Sequence, residues 1–71
     1  MEAKEMFEKS GYETRLEDTS TISYVNYNKN GNIIIIGFHV NRKLFHSTDR
    51  HINVEEHLAI HQQMKELGWI E

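Results

Sequence analysis

The residues with the most capacity for chemistry are the histidines, five in a chain of 71. The stretch HLAIH sets His57 and His61 one helical turn apart, a spacing from which two imidazoles can grip a divalent metal. A zinc peptidase of the HExxH type would also need a glutamate directly after the first histidine, and Leu58 stands there instead. At the helical rotation of about 100° per residue both rings fall within the arc of Val54, Leu58, Ile60 and Met64. The expected role of His57 and His61 is therefore edge-of-core packing. They remain the candidates for a histidine-dependent metal site, and recruiting His39 and His46 to it requires four side chains to meet. The other reactive types form no constellation. Asp18, Asp49, Glu55 and Glu56 sit in loops or at a helix start, where carboxylates solubilise or cap, and Ser10, Ser20, Ser23 and Ser47 show no nucleophile elbow. Neither GxGxxG nor a P-loop pattern occurs, so no cofactor and no enzymatic activity is expected.

The elements that must position these residues are legible from their punctuation. Residues 2 to 10 carry Ala3, Met6 and Phe7 at helical spacing, with acids early and Lys9 late, as the helix dipole favours. Gly11 and Tyr12 then read as a Schellman stop, with the aromatic folding back on Phe7. The same punctuation ends a second helix over 54 to 67. Asn53 and Glu56 form its capping box, Val54, Leu58, Ile60, Met64 and Leu67 its apolar positions, and Gly68 with Trp69 its stop.

Between the helices, ETRLEDTST (13 to 21) is polar and reads as a loop, whereas ISYVNY, IIIIGFHV and KLFHST read as strands. Asn30-Gly31 between two extended runs marks a type I′ hairpin, and a second tight turn is expected near Asn41-Arg42. The fold class expected is α+β, in the order αβββα: one small domain over residues 1–71, a three-stranded antiparallel meander with both helices packed on one face. In a register set by two-residue loops, the helices cover Val25, Ile34, Ile36, Phe38 and Phe45. The opposite face then holds Ile22, Tyr24, Ile33, Ile35 and Leu44, with His39, His46 and Gly37. Gly37 reads as a bulge or as room for Tyr24 or His46. Those five apolar residues exceed what a monomer ordinarily exposes and are the candidate binding face, which suits a protein partner, including a second copy in a homodimer. The competing arrangement is a sandwich with one helix on each sheet face.

Composition narrows the partner class. Eleven acidic residues against eight basic ones leave a net charge of −3 with no concentrated basic face, which argues against nucleic acid. The longest apolar run, Ile33 to Ile36, is too short to cross a bilayer, and the first residues lack the apolar core of a secretory signal. No cysteine is present, which fits a reducing, cytoplasmic setting.

The ends of the chain, AKEMFEKSGYE and AIHQQMKELGWIE, resemble small uncharacterised proteins of Firmicutes bacteriophages and prophages, which carry similar MFEKLGYE and AINKQMKELGW ends. This chain has Ser10 where such proteins usually have leucine and His61 where asparagine is common. The resemblance carries no activity and no functional residues. It implies a cytoplasmic setting in an infected or lysogenic host, where a very small phage protein acts by binding a host protein, as a modulator of host machinery or an inhibitor of defence.

Overall fold

The computed structural model describes residues 1–70. Its elements are α1 (Ala3–Lys9), β1 (Glu13–Glu17), β2 (Thr21–Lys29), β3 (Asn32–His39), β4 (Leu44–Ser47) and α2 (Val54–Glu66). The four strands form one antiparallel sheet in the order β1-β2-β3-β4. The α+β class holds, but the sheet has one strand more than expected. β1 occupies the segment read as a loop. It is polar because it is an edge strand: only Leu16 is a large apolar residue, and the strand shifts register between Thr14 and Leu16.

The punctuation is as the sequence suggests. Gly11 and Gly68 adopt positive φ, the Gly11 and Tyr12 amides donate to the Glu8 and Phe7 carbonyls, and the Gly68 and Trp69 amides donate to those of Lys65 and Met64. Each stop also seeds the core. Tyr12 packs edge-on against Phe7 with centroids 5.7 Å apart, and Trp69 lies 6.1 Å from Phe38. Asn53 and Glu56 cap α2 reciprocally. Asn30 and Gly31, at φ 54° and 82°, turn the β2-β3 hairpin, and Lys29 pairs with Asn32 across it.

Beyond that turn the register departs from expectation. It shifts between Asn26 and Lys29, so Tyr24 pairs with Ile36 and Val25 with Ile35. The bulged backbone finds local partners: the Asn28 amide donates to Asn26 Oδ1 and the Gly31 amide to Asn28 Oδ1. The shift exchanges the two faces of β2. Ile22 and Tyr24 turn toward the helices, and Ser23 and Val25 turn away. The exchange favours burial of the larger side chains. Tyr24 is 4% exposed and stacks on Phe7 at 4.0 Å, whereas the other register would place Ser23 and Val25 there. The β3-β4 register, Phe38 opposite Phe45, is the expected one, although the turn spans residues 40–43 with Lys43 left-handed.

Both helices lie on the same side of the sheet, over a core of Ala3, Phe7, Tyr12, Tyr24, Ile34, Ile36, Phe38, Ala59 and Ile60. α2 sits rotated from the expected face. Its buried residues are Glu56, Ala59, Ile60 and Gln63, while Val54 and Leu58 are 73% and 50% exposed. Small Ala59 lets α2 approach closely, and the polar pair on the buried face is drawn there by partners described below.

Candidate functional site

The helix-free face of the sheet is built by alternation. With Ile34, Ile36 and Phe38 directed into the core, Ile33, Ile35, Gly37 and His39 of β3 point the other way. Ladder partners share that face: Val25 opposite Ile35, Ser23 opposite Gly37, His46 opposite Gly37, Leu44 opposite His39, and Leu16 opposite Ser23. Of the residues expected here, Ile33, Ile35 and Leu44 are present. Ile22 and Tyr24 are not, because the β2 bulge places them on the helix side. Leu16, 48% exposed, is the accessible apolar residue that replaces them; Val25 also turns to this side but is 3% exposed between Glu13 and Ile35, and neither could be found without knowing that residues 13 to 17 form a strand and that β2 is bulged. Ile33 and Leu44 are 62% and 49% exposed. Gly37 lies under the His46 ring: a Cβ there would meet Cε1 at 2.6 Å, so its absence is what lets the imidazole lie flat over β3. His39 stacks beside His46 at 5.4 Å.

The helix-side histidines are separate. His57 and His61 are exposed, with ring centroids 6.5 Å apart, on the opposite side of the sheet from His39 and His46. Among the described residues no three of His, Cys, Asp and Glu gather as a metal-binding group. Rather than packing at the core edge, the pair borders a groove of about 190 Å3 between β4 and α2, lined by Phe45, Ile52, Ile60 and Met64.

The most organised polar cluster is buried. Glu56 is 1% exposed, and its carboxylate accepts from the Tyr12 hydroxyl, from Lys29 Nζ at 2.8 Å and from the Asn53 amide at 2.9 Å. Lys29 also meets Asp49 at 2.6 Å and donates to the His51 carbonyl. Burial pushes the Glu56 carboxyl up, but the hydrogen bonds from Lys29, Tyr12 and Asn53 outweigh it and hold the group below its ordinary value. For Lys29, burial opposes its charge, and the bonds to Asp49 and Glu56 prevail and raise it. Tyr12 is raised, first by burial and then by its bond to Glu56. A second buried pair, the Tyr24 hydroxyl donating to Gln63 Oε1 at 2.6 Å, explains why a glutamine faces the core. The Glu56 carboxylate and the Lys29 ammonium are both paired within the protein, which makes the cluster a clamp joining the turn between α1 and β1, the end of β2 and α2.

No protein-family model, curated protein or solved structure matches this chain. No helix among the described residues is long and apolar enough to cross a membrane.

Proposed function

We propose that this chain is a non-enzymatic protein-protein interaction module that docks through the helix-free face of its sheet. One observation carries the reading: both helices lie on one side, leaving Leu16, Ile33 and Leu44 exposed and Ile35 half-buried on a face that no other element covers, with Val25 buried beneath its neighbours there. The bulge makes this face less apolar than the sequence suggests, exchanging Ile22 and Tyr24 for Ser23 and Val25. It nonetheless exposes Leu16, Ile33 and Leu44, and it suits either a second copy about a twofold axis or a host protein of the kind the phage resemblance implies. The histidine-dependent metal reading has less behind it, since His57 and His61 are divided by the sheet from His39 and His46.

Light scattering over a concentration series, with Ile33→Asp and Ile35→Asp as face variants and Glu55→Ala on α2 as control, tests the second-copy form. A dimer mass that the face variants alone reduce to a monomer supports it. If wild type stays monomeric, the host-protein form is tested by cross-linked capture from host lysate. A partner retained by Glu55→Ala but lost with Ile33→Asp supports the reading, and a partner retained by every variant refutes it.

A further inference from the structure

The two edges of the sheet differ. β1 has the features that block pairing with a foreign strand: a register shift between Thr14 and Leu16, and Glu13, Arg15 and Glu17 along its length. β4, Leu44–Ser47, has no charge, no proline and no register shift. Its free hydrogen-bonding groups follow from the ladder. The Thr48 amide donates to the Ile35 carbonyl, so Thr48, His46 and Leu44 direct their backbone toward β3. By alternation, Phe45 and Ser47 turn their N–H and C=O groups outward from the sheet.

Beside this edge, on the helix side, lies the groove between β4 and α2. Phe45 forms one wall. Its ring stacks on Phe38 at 6.0 Å yet remains 42% exposed. Ile52, Ile60 and Met64 complete the apolar lining. At about 190 Å3 the groove falls below the range of roughly 300–1,000 Å3 of small-molecule pockets and suits one large side chain.

We infer that the β4 edge and this groove bind an extended segment of another protein, added as a fifth strand, with a large apolar side chain opposite Phe45. A residue directly opposite Phe45 shares its sheet face, so its side chain enters the groove while Phe45 and Ser47 supply the main-chain hydrogen bonds. Ladder arithmetic argues against a second copy as the occupant. The self-pairing that engages both outward residues sets Phe45 opposite Ser47 of the other copy, and a serine leaves the groove unfilled. Setting Phe45 opposite itself pairs Ser47 with Lys43, which is left-handed and outside the strand. This surface is distinct from the helix-free face and stands or falls without it.

The test is an NMR titration with capped octapeptides carrying threonine and lysine at alternate positions and leucine, phenylalanine, aspartate or glycine at the others. The leucine and phenylalanine peptides are expected to protect the Phe45 and Ser47 amides from exchange and to shift the Ile52 and Met64 methyls. The aspartate and glycine peptides should bind at least about tenfold more weakly. Ser47→Pro deletes an outward donor without touching the β3 ladder and should weaken binding by about tenfold. Ile52→Asp places a charge at the groove and should do the same even if the proline variant folds poorly. Ile33→Asp should leave the affinity unchanged. The inference is overturned if no peptide of the series binds, if the shifts fall on Leu16, Val25 and Ile35 instead, or if the Phe45 and Ser47 amides are already protected in a peptide-free dimer.

Discussion

Replacing Glu56 with alanine should unfold much of the molecule's margin of stability. The substitution strands the buried Tyr12 hydroxyl, removes the reciprocal half of the α2 capping box and takes one of two carboxylates from Lys29. An orphaned buried hydroxyl costs about 1–3 kcal/mol and a lost cap about 1 kcal/mol. Lys29 keeps Asp49 at 2.6 Å, so its share is small and the sum falls near the low end of the roughly 3–5 kcal/mol typical of a broken buried pair. About 2–4 kcal/mol is to be set against a total of roughly 4–10 kcal/mol for a chain of this size. Urea melts of wild type, Glu56→Ala, Tyr12→Phe and the double variant measure both the loss and the Tyr12–Glu56 coupling, expected at about 0.5–3 kcal/mol. The same carboxylate gives an acid signature. Its folded-state value lies below its ordinary one of 4.5, so its stabilisation is fully present above that value and lost as pH falls through the folded value. Glu56→Gln should flatten that acid limb. A loss under about 1 kcal/mol for Glu56→Ala, or an acid limb unchanged in Glu56→Gln, would refute the clamp.

Gly31→Val should cost about 1–2 kcal/mol through backbone strain alone, because φ is +82° and a Cβ there meets nothing within 4 Å; an unchanged melting temperature would count against the turn. Tyr24, pushed up to about 12 by burial and then by Glu17, Glu66 and Glu8, should stabilise the fold fully below its ordinary value of 10.0 and lose that contribution as pH rises toward 12. Phenolate absorbance and circular dichroism recorded together should show this alkaline transition, and a Tyr24→Phe variant that retains it would assign it elsewhere. Chelators of divalent ions should leave the circular dichroism unchanged; a chelator-sensitive fold that becomes insensitive in a His57→Ala, His61→Ala double variant would instead support a metal site.

What was legible in the sequence is what short-range chemistry decides. Gly11-Tyr12, Gly68-Trp69, Asn53 with Glu56, and Asn30-Gly31 each act over a few residues, and each has the expected geometry. β1 was not legible, because an edge strand of alternating charge has the composition of a loop. The faces of β2 depended on a bulge stabilised by Asn26 and Asn28, which in sequence look like ordinary turn residues. Ile33, Ile35 and Leu44 therefore lie on the helix-free side as expected, and Ile22 and Tyr24 lie on the helix side. The rotation of α2 was hidden for a different reason. Apolar periodicity favours Val54 and Leu58, but the helix turns to serve Glu56 and Gln63, whose partners Lys29, Tyr12 and Tyr24 lie far away in the chain.

The agreement between strand order and chain order has a kinetic consequence. Every strand in this sheet pairs with its neighbour in the chain, so the meander can zip from the Asn30-Gly31 hairpin by closing short loops. The distant contacts belong to the helices: the Ala3 amide donates to Glu66 across 63 positions, and Tyr12 reaches Glu56 across 44. Helix docking thus closes the longest loops, and until it occurs Ile34, Ile36 and Phe38 stand uncovered. Nascent chains released before α2 is synthesised would hold a sheet bare on both faces, with an unguarded β4 edge, and that species is the one from which aggregation would start.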